Sequence, residues 1–175
     1  MTIPRLETSR LILRGHAPDD FASFAAERAD PAVMRFLGKG DTLSEEESLS
    51  RFLAVAGHWA LLGYGTWAVE ESATGKRIGA VGFAEKKRPA EHPASGAPEM
   101  GWSLAAGAHG KGYATEAVRA ALDWGRAFFG AGARTVCVIS TGNDASLRVA
   151  EKCGFRQFAT ASRYGLGRFV FEREL

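Results

Sequence analysis

The segment His109-Gly110-Lys111-Gly112-Tyr113-Ala114-Thr115-Glu116-Ala117 decides how this chain is read. Two glycines, a lysine and an alanine stand at the entrance to an apolar helix. Such a loop aims several backbone N–H groups at one anion, and the helix dipole adds partial positive charge there. A Cβ would block close approach, and a turn needing φ > 0 favours glycine. The stretch therefore predicts a phosphate cradle. Two common cradles fail on spelling. A nucleoside-triphosphate P-loop needs Gly-x4-Gly-Lys-Ser/Thr, but Ala105 stands five places before Gly110 and Gly112 follows Lys111. A dinucleotide fingerprint needs Gly-x-Gly-x-x-Gly and a later acid after a strand. Its third place here is Thr115, and no acid follows at the right distance. A tight strand-to-helix turn without a ligand is the plain alternative.

Outward from this loop the chain reads as alternating short elements. Arg10–Arg14 is a first strand. Ala17-Pro18-Asp19-Asp20 and Asp30-Pro31 each open a helix, with proline early and acids in the first turn. Ser44-Glu45-Glu46-Glu47 is a capping box that starts a helix to about Leu62, ended by Gly63 and Gly65. Thr66–Glu71 and Arg77–Glu85 are strands joined by a turn at Ser72–Lys76. Pro89–Pro98, with three prolines, is a loop. Glu99–Ala105 is the strand that feeds the glycine loop. Apolar or small residues at 114, 117, 118, 121, 122, 125 and 128 predict a helix over Tyr113–Phe129. Ala133–Ser140 is a buried strand. Asn143 caps the next helix and Gly154 ends it. Phe155–Ala161 and Gly167–Glu174 are the last strands. This order implies an α+β sheet with helices on both faces, in one domain over residues 1–175.

Composition bounds the function. A chain of 175 residues can bury a real core. Its 46% hydrophobic and 24% charged content is ordinary for a globular protein. The net charge of +2 leaves no broad nucleic-acid footprint, while an anionic cofactor needs only a local basic cluster. Cys137 and Cys153 have no metal-ligand spacing and no supporting histidine motif, so reduced buried thiols are expected and no metal site. Met1–Arg14 carries no long apolar run before a cleavage site. Phe52–Leu62 contains His58 and is too short to span a bilayer. A cytoplasmic location, no membrane contact and a monomer or homodimer are the expectations.

Several motifs in order resemble one family. His109-x-x-Gly112-x-Ala114 resembles the Arg/Gln-x-x-Gly-x-Gly/Ala pyrophosphate loop of the GNAT superfamily of N-acetyltransferases, with His109 in place of Arg or Gln. Asn143-Asp-Ala-Ser146-Leu-Arg-Val-Ala-Glu151-Lys-Cys-Gly154-Phe155 is similar to the family's Asn-x-x-Ser-x-x-x-x-Glu-Lys-x-Gly-Phe helix. Leu6–Arg14 followed by Pro18-Asp-Asp20 resembles the branch of ribosomal-protein N-terminal (Ser/Ala) acetyltransferases. The resemblance implies the GNAT fold, a mixed and mainly antiparallel sheet splayed between two strands. It implies acetyl-CoA as acetyl donor and a primary amine as acceptor, such as a protein N-terminus. Pantetheine would enter between strand 99–104 and strand 133–140. The backbone of Gly101, Trp102 and Ser103 would face the thioester. His109, the amides of Gly110, Lys111, Gly112, Tyr113, Ala114 and Thr115, and Asn143 would hold the cofactor. Lys111 reads equally as a phosphate contact or a solvated loop lysine.

Acyl transfer from a thioester to an amine needs a neutral amine, a polarised carbonyl, donors for the oxyanion and help for the leaving thiolate. Glu99, ten residues before His109, is the candidate base; an exposed edge carboxylate is its plain alternative. The family's tyrosine, seven places after the helix-starting Asn, is replaced by Ala150. Ser146 matches a serine of the ribosomal-protein branch and can hydrogen-bond the sulfur, or simply cap its helix. Trp67 and Trp102 read as core or pocket wall, Tyr164 as a residue bordering the acceptor site, and His16 and His58 as packing or surface groups. Three functions stand on these residues: acetylation of a peptide or protein α-amine, acetylation of a small amine, and a non-catalytic CoA-binding module.

Overall fold

The strongest helical periodicity becomes helix α4, Tyr113–Phe129, whose stripe of Ala117, Val118, Ala121, Leu122 and Gly125 is buried. Gly125 is small for a reason: a Cβ there would sit 2.5 Å from the Phe83 ring edge, so glycine lets α4 lie close on the sheet. The computed structural model describes residues 2–175, and Arg163 by its backbone only. Met1, the first residue of the segment tested for a leader, lies outside the described residues.

Eight strands form one sheet: β1 (Leu6–Glu7), β2 (Leu11–Arg14), β3 (Thr66–Glu71), β4 (Lys76–Ala84), β5 (Glu99–Leu104), β6 (Arg134–Ser140), β7 (Arg156–Arg163) and β8 (Leu166–Glu174). Their order is β1-β2-β3-β4-β5-β6-β8-β7. Every neighbouring pair is antiparallel except β5–β6, which is parallel and linked through α4. Among the described residues there are also five α-helices, α1 (Phe21–Ala29), α2 (Pro31–Met34), α3 (Glu45–Leu62), α4 and α5 (Asp144–Lys152), and two short 3-10 helices, Pro18–Asp20 and Ala106–Ala108. The sheet and helices make the α+β architecture expected from the sequence, mixed and mainly antiparallel. β1 is the one strand not read there; two residues are too few to show a period.

Strand alternation divides the sheet's faces. Leu11, Leu13, Trp67, Val69, Val81, Phe83 and Met100 point toward α4 and join one core. Trp59 of α3, Trp67 and Trp124 meet edge-on there, with ring centroids 4.8–5.7 Å apart. The opposite face carries α1, whose Arg28 reaches Ser103 of β5. The capping box at Ser44 forms as read: Glu47 N–H donates to the Ser44 hydroxyl and Ser44 N–H to the Glu47 carboxylate. Helix α3 stops at Gly63, in the left-handed region at φ 75°.

The parallel pair is joined at one end only. Glu99 pairs with Val136 and no further ladder rung follows among the described residues. The Pro98 carbonyl accepts from Val136 N–H at 3.2 Å and from the Thr135 hydroxyl at 2.8 Å. Beyond that clasp, β5 stays bonded to β4 through Leu104 and β6 to β8 through Ser140. The two strands diverge and leave β5 an unpaired inner edge. Thr135 is fully buried, so Thr135→Val should cost about 1 kcal/mol in urea unfolding with near-native circular dichroism. An unchanged midpoint would show that the clasp does not depend on this hydroxyl.

Candidate active site

The glycine loop turns through two left-handed positions, Gly110 at φ 75° and Gly112 at φ 81°. Gly112 is the residue before α4 and no side chain caps that end. The first bond from α4 back into the loop is Glu116 N–H to the Gly112 carbonyl, 3.2 Å. The N–H groups of residues 113–115 therefore stand at an open helix end. The loop's shape is held from outside. The Glu116 carboxylate accepts from the Thr8 hydroxyl at 2.6 Å, the Ser9 hydroxyl at 3.1 Å, and Arg10 N–H and Nε at 3.0 and 2.7 Å. Arg10 Nη1 also donates to the Lys111 carbonyl at 2.9 Å. Burial pushes the Glu116 carboxyl up, and these bonds overcome it and hold it below the usual range.

A cleft of about 900 Å³ opens where β5 and β6 part. Glu99, Gly101, Trp102 and Ser103 form its β5 wall. His109, Gly110 and Gly112, then Tyr113, Ala114 and Thr115 of α4, line one end. Asn143 and Ser146 face them from α5. Lys111 is exposed and lies outside this lining. Glu71 is held below the usual carboxylate range by bonds from Tyr113 and Thr74, with a smaller contribution from the Lys111 charge. His109 Nε2–H donates to the Leu104 carbonyl at 2.8 Å, so its ring fastens the loop to the end of β5.

Two side chains of opposite character flank the β5–β6 gap. Glu99 Oε2 accepts from Arg88 Nε at 3.1 Å and Nη2 at 2.5 Å. Arg88 comes from the proline-rich loop, and its pairing leaves Oε1 of Glu99 for another partner. On α5 the cap is made by Asn143, whose Oδ1 accepts from Ser146 N–H at 3.2 Å. The Ser146 hydroxyl takes no part in that cap. Cys137 lies on the cleft floor, where burial first, and the Glu99 charge second, push its thiol far up. It stays protonated, as a packing group should. Among the described residues no group of three His, Cys, Asp or Glu side chains is placed to hold a metal ion, and no helix is long and apolar enough to cross a membrane.

The remaining residues singled out in the sequence divide plainly. Trp67 is fully buried and its Nε1–H donates to the Pro4 carbonyl at 2.8 Å; Trp102 is cleft wall. His58 is structural: Glu85 N–H donates to its Nε2 at 2.8 Å and its Nδ1–H donates to the Tyr64 carbonyl at 2.7 Å. Tyr164 stands on the β7–β8 turn with the Lys39 ammonium 5.3 Å from its ring centre, outside the cleft lining.

Sequence reading missed the polar layer on the α1 side of the cleft. Glu27 is buried at 1% side-chain exposure, its Oε2 3.0 Å from Arg77 Nη1 and its Oε1 bonded by the Ser103 hydroxyl. The available signal was positional: Phe24, Glu27 and Arg28 fall at i, i+3 and i+4, which puts two charges on the inward stripe of α1.

His16 lines the cleft between Phe24 and Phe52, at centroid distances of 6.3 and 5.5 Å. Neither ring nitrogen has a partner. Burial, then the charge of Arg77, lower its pKa to about 4; Asp20 opposes and Arg14 and Arg28 assist. The unfolded chain takes up this proton near pH 6.5, before the folded one. His16 therefore contributes stability above pH 6.5 that is lost as pH falls toward 4. Chemical denaturation across that window should show wild-type losing about 3 kcal/mol more than His16→Phe. Parallel curves would exclude the buried neutral imidazole.

Comparison with known proteins gives a family. The model for the acetyltransferase (GNAT) domain matches residues 10–156. The uncharacterised protein YkkB of Bacillus subtilis (strain 168) is 35% identical over 116 residues, 64% of this chain and 63% of that protein. This chain thus matches under two thirds of that relative's length. The uncharacterised N-acetyltransferase YoaA of the same organism is 29% identical over 92% of this chain and 88% of its own. A GnaT-family acetyltransferase structure from Bordetella pertussis superposes with a TM-score of 0.83 at 29% identity, covering 97% of this chain and 99% of that one. RimL, a ribosomal L7/L12 alpha-N-protein acetyltransferase solved with coenzyme A, shares the fold at a TM-score of 0.79, 17% identity and 98% coverage of each chain. The family match takes in both diverging strands and the glycine loop between them, and on that ground the chain belongs to the GNAT family of N-acetyltransferases.

Proposed function

We propose that this chain takes its acetyl group from acetyl-CoA and gives it to the free α-amine of a protein or peptide. The observation that carries the cofactor assignment is the unpaired inner edge of β5 running into an open helix end. The residues fit the group: Gly110 and Gly112 take the left-handed turns the loop needs, and the amides of 113–115 stand at an uncapped helix end with the helix dipole behind them. Those amides would hold the pyrophosphate, and Asn143 and the 101–103 backbone the pantetheine arm. When bound, acetyl-CoA supplies an activated acyl group and a thiolate leaving group. RimL, described as an alpha-N-protein acetyltransferase with coenzyme A, is a neighbour in fold.

The residues divide the remaining work. Glu99 offers Oε1 to the incoming ammonium while Arg88 holds Oε2, so the amine is oriented and its proton accepted at one atom. The Ser146 hydroxyl, uncommitted within its helix, donates to the departing sulfur. The amine's own acidity selects the acceptor. At pH 7 roughly a tenth of an α-amine of pKa near 8 is neutral, against well under 0.1% of a lysine near 10.4. One carboxylate already engaged by Arg88 suits the α-amine. The opening Leu6–Arg14 and Ser146 resemble the ribosomal-protein branch and favour the same acceptor.

The test is acetylation of paired peptides, N-terminally free or blocked, with mass spectrometry locating the acetyl group. The free α-amine should be labelled first; preferential lysine labelling overturns the assignment. In thermal unfolding, acetyl-CoA at a hundred times Kd should add roughly 2.7 kcal/mol of stability and raise the melting temperature, and Gly112→Asp should abolish the shift. Ser146→Ala should lower kcat on the order of ten- to a hundredfold with cofactor affinity kept. Full turnover in that variant removes Ser146 from the mechanism.

A further inference from the structure

Two guanidiniums share one carboxylate on the α1 side of the cleft. Arg77, 3% exposed, binds Glu27 Oε2 at 3.0 Å, and its Nε and Nη2 have no acceptor. Arg28, 16% exposed, lies 4.9 Å over the centre of the Phe24 ring, and its polar partners are weak: Ser103 Oγ at 3.3 Å, the already engaged Glu27 Oε1 at 3.7 Å and the Met34 thioether at 3.9 Å. The cluster holds one positive charge more than it neutralises. Burial pulls Arg28 below its usual range, and the Glu27 charge only partly offsets that. An uncompensated buried charge is costly, and an anion seated beside it relieves the cost.

The rest of the cleft points the same way. Arg35 and Lys86 also line it. The acids lining the cleft are Glu99, which Arg88 pairs, and Asp144 in the first turn of α5. Arg28 sits on the cleft lining itself, at the Ser103 end of the face that presents Glu99. On that face Glu99 and Ser103 stand about 13 Å apart, four residues at about 3.3 Å each. A molecule with an amine at one end and an anion at the other spans this interval; a polyamine meets like charge.

Resting on the acetyltransferase reading of the cleft, we propose that the acceptor amine carries a carboxylate, which binds Arg28 beside Ser103 while the amine lies at Glu99. The carboxylate belongs to an acidic side chain near a peptide N-terminus; in a free α-amino acid the amine and carboxylate lie only about 3 Å apart, too close to bridge Glu99 and Ser103. Arg28 is then a specificity-determining residue.

The experiment measures thiol release from acetyl-CoA with matched acceptors: peptides with Glu or Gln at the second position, amino acids and their carboxamides, and a diamine. The Glu peptide should show kcat/KM higher than the Gln peptide by about ten- to a hundredfold, while the amino-acid pair, too short to bridge the two residues, should not separate. Arg28→Gln should collapse that ratio through KM, Arg28→Lys should restore part of it, and the acetyl-CoA melting shift should persist in both. A Gln peptide equal to or better than the Glu peptide, a preferred diamine, or an Arg28→Gln variant that loses the acetyl-CoA shift and keeps the ratio, each overturns the proposal. Calorimetric titration of the same pairs onto the protein with coenzyme A separates the two readings. Carboxylate-selective binding without turnover upholds this site and sinks the acetyl-transfer reading. Turnover without carboxylate preference does the reverse, and neither binding nor turnover sinks both.

Discussion

One carbonyl holds the working geometry of this protein. The Pro98 oxygen takes Val136 N–H and the Thr135 hydroxyl, and this clasp closes one end of the parallel pair. A parallel ladder with no further rungs is normally a defect, because unpaired backbone groups are costly when buried. Here the cost is contained. Each strand keeps a full antiparallel ladder on its other side, and the freed edge faces a cleft rather than a packed core. An extended chain laid in the gap would meet the same donors and acceptors that a strand would.

The helix that follows β5 depends on contacts made by the chain's beginning. A glycine at the N-cap leaves the end of α4 bare, which suits a ligand but gives the helix no cap of its own. Glu116, in the first turn, is bound by Thr8, Ser9 and Arg10, residues more than a hundred positions earlier. The acid also complements the helix dipole. The anion-facing loop is therefore held by an interaction outside the cleft, so its side chains need not fill the space a ligand would use.

Much of this was legible because it is local. The capping box at Ser44, the Tyr113–Phe129 helix and the Thr66–Glu71 strand follow from propensity and period, and they appear at the positions read. The site's wall was legible for the same reason: the residues from Glu99 to Thr115 form one strand, one loop and one helix start. What was hidden is pairing at a distance. Nothing near Glu99 in sequence announces Arg88 as its partner, since the three-proline loop between them has no period to project. Arg77 opens a strand that reads as ordinary, and only the fold brings it under α1 to Glu27. His16 looked like a surface or packing group, and its unpartnered nitrogens become visible only once Phe24 and Phe52 close around it.

The charges of the cleft are distributed over its walls, and the distribution follows from which elements supply them. The α4 end offers amide dipoles. Glu99, on β5, and Ser146, on α5, contribute one acid and one hydroxyl. The α1 side holds Arg28 over the Glu27–Arg77 pair. Replacing such a buried charge cluster with apolar residues is often neutral or stabilising, so folding alone gives little reason for two arginines to share one carboxylate at the edge of a cleft. Ser103 links the two systems, since its hydroxyl donates to Glu27 while its strand forms the cleft wall. Whatever settles on Arg28 therefore acts on the same strand that the cofactor would use, and acceptor recognition and acyl-group alignment share one rigid support.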